Sequence, residues 1–234
     1  MAAILVWGAG GHARVVADII RRIGSDEIIG FIDEVAPYRR GEPFLGSIVL
    51  GGEEQIENLR SEHVNKAIVA VGDCAARLRI SELLKSRGFE LATAIHPSAI
   101  VSDGALLGPG TVVCAGAVIG PGVRAGMSTI VNTSASVDHD CTIGDGAHIG
   151  PGARLGGGVH VGRGAWVAIG ATIVNGIEIG DGAIVGAGGV VLRSVPARSL
   201  VFGVPAREHG QRNNDNHPLA ADHFLSWTKN VSIK

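Results

Sequence analysis

Ile143-Gly-Asp-Gly-Ala-His-Ile149-Gly-Pro-Gly-Ala-Arg-Leu155-Gly-Gly-Gly-Val-His-Val161 decides the fold of this chain. An aliphatic residue returns at every sixth position, glycine follows it, and a small or β-branched residue stands two places before it. The register extends outward in both directions, from Ile95 to Val191, and Ala125 is its one site that is not Ile, Leu or Val. A helix repeats every 3.6 residues and a half-buried strand every two, so neither explains six. A hexad with glycine-permitted corners is the mark of a parallel β-helix, in which short flat strands stack coil upon coil. At three hexads per triangular coil the run makes about five coils, and a strand spacing of about 4.8 Å gives a prism on the order of 25 Å tall. The register residue and the residue two before it point inward; the other four face out or turn corners. Period alone leaves the handedness open.

Composition narrows the function. The chain has 234 residues, a formal charge of −2, 46% hydrophobic residues and only 4% aromatic ones. That balance supplies a core but neither the basic face nor the stacking platforms that nucleic acid requires. The expectation is therefore no nucleic-acid partner. With no apolar run long enough to span a bilayer and no signal-peptide pattern, it is also no membrane insertion. Cys74, Cys114 and Cys141 are far apart in no metal-ligand pattern, and Cys141 takes an inward site of its hexad, so buried thiols in a cytoplasmic, reducing setting fit best.

Before the hexads the pattern changes. Ala3–Val6 reads as a strand, Gly8-Ala-Gly-Gly-His-Ala13 opens a helix running to Ile23, and Ile28–Ile32 is a second strand ending at Asp33-Glu34. Glu53–Ser61 reads as helix, Ala67–Val71 as strand and Ala76–Arg87 as helix. Strands alternating with helices imply a parallel sheet, here half of a dinucleotide-binding fold. The expected division is an α/β, half-Rossmann-like domain over 1–94, the β-helix over 95–207 and a polar tail over 208–234, in which Pro218–Lys229 reads equally as short helix or disorder.

Three constellations carry chemistry. Val137-Asp-His-Asp-Cys141 places His139 on the outside of the prism between two carboxylates, which favour the imidazolium and so make the ring a better base. His148 is also outward but on a different part of the prism. The two cannot readily meet within one chain; in a ring of prisms one chain can present His139 and another His148, which predicts a homotrimer. A metal is the competing reading, but spacings of nine and twelve among His139, His148 and His160 lack a close histidine pair, and none is expected. In the glycine loop, Gly10 and Gly11 let backbone N–H groups approach a phosphate at a helix N-terminus, and Asp33, 25 residues after Gly8, can bind a ribose or base.

Taken together, Gly8-Ala-Gly-Gly-His12, Phe31-Ile-Asp-Glu34, Ala70-Val-Gly-Asp73, Ile95-His-Pro-Ser-Ala99, Val131-Asn-Thr, Val137-Asp-His-Asp-Cys141 and Gly203-Val-Pro-Ala-Arg207 resemble the nucleotide-sugar N-acetyltransferases of the bacillosamine and GDP-perosamine type, within the sialic-acid O-acetyltransferase-like hexapeptide family. The resemblance covers about residues 3–207 and implies a left-handed coil. It implies acetyl-CoA as donor and, as acceptor, the 4-amino group of a nucleotide-linked 4-amino-4,6-dideoxy sugar in bacterial surface glycan synthesis. It makes His139 the general base, with Asp140 raising its basicity, one methylene shorter than the Glu found in some members. His148, Ile169, Gly186 and Ala187 match positions lining the acetyl-CoA groove, Ala187 standing where relatives can have Gly. Gly10, Gly11, His12, Asp33, Glu34 and Asp73 match the nucleotide-sugar pocket, which suits GDP, UDP and dTDP alike. Two alternatives predict different behaviour: an O-acetyltransferase of sialic acid or another sugar hydroxyl needs no nucleotide on its acceptor, and a non-catalytic nucleotide-sugar sensor binds without turnover.

Overall fold

The computed structural model describes residues 1–211. Strands β1 (Ala2–Trp7), β2 (Asp26–Ile32), β3 (Pro43–Phe44), β4 (Ser47–Gly51), β5 (Lys66–Val69) and β6 (Glu90–Leu91) form one sheet in the order β3-β4-β2-β1-β5-β6. All pairs are parallel except the β3–β4 hairpin. Helix α1 (Gly11–Ile23) lays Ala13, Val16, Ala17, Ile19 and Ile20 against Ile4 and Val6 of β1. On the opposite face α2 (Ile56–Ser61) and α3 (Cys74–Ser86) cover Leu5, Trp7 and Ile32. The alternation of strand and helix is as expected, with edges shifted by one or two residues. The expected helix from Glu53 begins as a 3-10 turn over Glu53–Gln55. The β3–β4 hairpin was not anticipated, because Pro43 and a two-residue strand leave little period to read.

Beyond it the chain winds into a left-handed parallel β-helix whose strands are two residues long. The first wall stacks Ala94–Ile95, Val112–Val113, Ile130–Val131, His148–Ile149, Trp166–Val167 and Ile184–Val185; the second runs from Ile100–Val101 to Val190–Val191 and the third from Leu106–Leu107 to Glu178–Ile179. Each strand pairs with the one eighteen residues on, as in Val112↔Ile130, until the last coil, where Ile184 pairs with Leu200. The register residues and the alanines before them, such as Ala147, Ala153 and Ala165, fill the interior. Coil spacing dictates the glycine after the register residue: a Cβ on Gly144 would lie 2.6 Å from Arg163 N in the next coil. The second corner residue is left-handed, glycine at most corners (Gly164, φ 63°) but Ser128, Ser134 and Asp140 (φ 58°) at three.

The α/β half packs on the first wall, so Val112 and Ile130, outward on the prism, are fully buried in one cluster with α1. At the top of that wall Ser199–Gly203 pairs antiparallel with Ala206–Gln211. A boundary after Arg207 therefore falls inside a strand, which Arg207-Glu-His-Gly210 conceals by lacking an apolar alternation. Pro218–Lys229 lies outside the described residues.

Candidate active site

His139 sits at the corner between second and third walls, with its side chain 56% exposed. Its Nδ1 lies 2.9 Å from Asp140 Oδ2, and its backbone N–H donates to Asp138 Oδ1 at 2.7 Å. The left-handed backbone of Asp140 swings that carboxylate back onto the preceding imidazole, so the shorter side chain still makes the contact. The hydrogen bond to Asp140, aided by the charge of Asp138, raises the His139 pKa above its usual value. Gly157, one coil on, completes the corner: a Cβ there would lie 2.4 Å from His139 Nε2. Nε2 is therefore held over bare backbone. Cys141 stays inside the prism, its thiol donating to Gly156 O at 3.2 Å.

The glycines of the N-terminal loop differ in kind. Gly8 has φ 127° and a Cβ on it would strike Ala70 O at 2.6 Å, so its need is structural. A Cβ on Gly10 or Gly11 would meet nothing within 4 Å. Helix α1 starts there with no side-chain cap and no acidic residue in its first turn, leaving its N-terminal N–H groups for an anion. Arg39 ties this loop to Asp33, donating from Nη1 to Ala9 O (3.2 Å) and Asp33 Oδ2 (2.7 Å). Asp33 Oδ1 accepts from Ala36 N, Glu34 accepts from Glu53 N and Asp73 caps α3 through Ala76 N. All three carboxylates also shape the loops they stand on, and sequence reading missed Arg39.

His148 is where the structure adds most. It is outward on the prism, yet half-buried beneath the α/β half. Asn132 Oδ1 accepts from Thr133 N, so the Asn132 amide group donates to His148 Nε2 at 3.0 Å. Burial, then the charge of Arg77 and the neighbouring His12, push the His148 pKa down to about 3, against a hydrogen bond with the Gly72 backbone. His12 is likewise lowered to about 4 by burial and Arg77, and its buried Nε2 has no hydrogen-bond partner. Two imidazoles, one from each half, thus lie near each other and Arg77, and His148 also reaches the Gly72 backbone. His148 is bound into its own chain rather than free on an open face, because hexad period does not reveal which wall the other half covers.

Ile169 and Ala187 are exposed and follow one another up the edge between first and second walls, one coil and two coils above the corner that follows His148. Gly186 is turned toward the terminal hairpin; a Cβ there would meet Phe202 Cβ at 2.8 Å. His139 stands on another edge. Among the described residues no three His, Cys, Asp or Glu side chains come together as a metal site, and no helix is long and apolar enough to cross a membrane.

A family model for the PglD N-terminal domain matches residues 3–84. Among solved structures, PerB from Caulobacter crescentus, described in complex with CoA and GDP-perosamine, is 39% identical over 90% of this chain and 98% of its own, with a TM-score of 0.85. The acetyltransferase domain of PglB from Neisseria gonorrhoeae is 37% identical over 89% of this chain and 100% of its own, with a TM-score of 0.83; a complex of that domain with acetyl coenzyme A is also similar. WeeI from Acinetobacter baumannii is 28% identical over 89% and 100%, with a TM-score of 0.81.

Proposed function

Because the chain belongs to the nucleotide-sugar N-acetyltransferases of the bacillosamine and GDP-perosamine type, it is an acetyl-CoA-dependent acetyltransferase, and we propose that it acetylates the 4-amino group of a nucleotide-linked 4-amino-4,6-dideoxy sugar in bacterial surface glycan synthesis. The carrying observation is the exposed His139 with Nδ1 against Asp140 and Nε2 over Gly157. An ammonium cannot attack a thioester. His139 Nε2 takes the amine proton as nitrogen adds to the acetyl carbonyl, and the imidazolium, steadied by Asp140 and Asp138, returns a proton to the departing CoA sulfur. General-base help of this kind is worth about 10²–10⁴-fold.

The acceptor's diphosphate lies on the open N–H groups at Gly10 and Gly11, near Asp33 and Glu34, and its sugar points past His12 and Asp73 toward His148. Acetyl-CoA runs along the edge of Ile169, Gly186 and Ala187, with its thioester end toward His148. His139, on a different edge, then comes from a neighbouring protomer, which calls for a homotrimer. Ile100 and Val118, exposed and stacked on the second wall, suit burial between prisms. Buried Cys74, Cys114 and Cys141, none of them in a disulfide, suit a cytoplasmic enzyme.

Thiol release from acetyl-CoA against a panel of nucleotide-linked 4-amino sugars tests this. Turnover with one of them, and none with its 4-hydroxy analogue, is expected. Turnover of a free sialic acid would replace the reading with O-acetylation; nucleotide-sugar binding without any thiol release would replace it with a sensor.

A further inference from the structure

Arg77 is fully buried, with the charge of Asp73 and the side chain of Cys74 acting to hold its proton against the cost of burial. Its guanidinium also donates to backbone carbonyls drawn from both halves of the chain. Nη1 donates to Val71 O (2.9 Å) and Gly72 O (2.8 Å), on the loop leading into Asp73. Nε donates to Ser128 O (2.8 Å) and Nη2 to Gly146 O (2.6 Å), with Ala147 O at 3.4 Å, all corners of the prism immediately below His148. An apolar side chain could fill this volume without the desolvation cost of a buried cation. A planar fork with five donors is what the site needs.

We infer that Arg77 is a positioning residue: it sets the spacing and orientation of the Gly72-Asp73 loop against the prism corner that carries His148, and so aims the acceptor sugar. This rests on the nucleotide-sugar reading of that loop. Docking itself has other supports. Leu78 fills the room left by Gly146, and Ser128 Oγ donates to Ser81 Oγ at 2.7 Å. Arg77 differs in holding both 72 and 146–147 at once. Misplacement by an ångström is enough to lower turnover about a hundredfold.

The test compares Arg77→Lys and Arg77→Met with Ser81→Ala, which loosens the same interface without touching residues 71–73. In folded variants of unchanged oligomeric mass, acceptor kcat/KM should fall about ten- to a hundredfold for Arg77 while acetyl-CoA Kd stays within about twofold. Ser81→Ala should stay near wild type in both. Equal loss for Ser81→Ala, or unchanged acceptor kinetics in Arg77→Met, overturns the inference. A second measurement uses the wild-type protein: hydrogen exchange with and without a bound nucleotide sugar. Protection should appear at residues 71–77 and 146–148 together; protection confined to the α/β half overturns the inference even if both Arg77 variants fail to fold. Absence of thiol release by wild type would instead sink the acetyltransferase reading and leave the exchange result to decide this one.

Discussion

His139 owes its chemistry to two neighbours that act differently. Asp140 raises its pKa through the 2.9 Å contact. Losing that anion lowers the imidazole pKa, so the acidic limb of the kcat–pH profile in Asp140→Asn should move to lower pH, with turnover reduced less than in His139→Ala. His139→Ala should lose at least about a hundredfold in kcat while binding acetyl-CoA normally. Near-wild-type turnover in that variant would leave positioning alone to explain the rate. Gly157 acts sterically: its φ does not demand glycine, so Gly157→Ala should fold yet displace the imidazole, and an unchanged kcat would show that the ring has room to spare. Asp138-His-Asp140 stood out in the sequence as charge interrupting an apolar register. Gly157 did not: it is the one glycine of the run two places after a register residue, but inside Gly156-Gly-Gly158 it reads as more corner glycine. Only the stacking of coils sets it against His139.

At the scale of elements, the prism was legible because a hexad is a local signal repeated many times. The glycine loop was legible only as a type. Gly8 and Gly11 look equivalent in sequence, whereas the structure makes one a packing requirement and leaves the other open. Gly11→Val should therefore keep the melting temperature within a few degrees while weakening acceptor binding, because only an approaching phosphate meets the new side chain. Calorimetric titration with the nucleotide sugar decides it, and unchanged affinity would assign the loop to a tight strand–helix turn. Docking of the α/β half on the first wall was not legible. Val112 and Ile130 at that interface resemble Ile100 and Val118, which are exposed, and nothing within a hexad separates the two pairs.

At the scale of the whole molecule, two half-buried histidines should make the docked halves sensitive to acid. His12 and His148 have pKa values near 4 and 3 in the folded protein and about 6.5 when unfolded. Stability from their neutral burial is full above the unfolded value and falls as pH drops below it, by about 1.4 kcal/mol per pH unit for each ring. Urea melts at pH 7.5 and 5.5 should show that loss, and His148→Gln should reduce it; a flat response would mean the rings ionise in place. Assembly is open to a separate measurement: light scattering at micromolar concentration should give the mass of three chains, and a fully active monomer would overturn the shared site. The three-walled coil also governs how such a chain can change length. Six residues inserted between His148 and Ile169 would carry everything above them round by one wall, taking Ile169 and Ala187 off their edge. Eighteen, the spacing of Val112 from Ile130, would restore every wall and lengthen the edge by one coil, about 4.8 Å. Duplication of a whole coil is thus the insertion that changes the reach of the proposed acyl-donor groove while leaving each side chain on its own face.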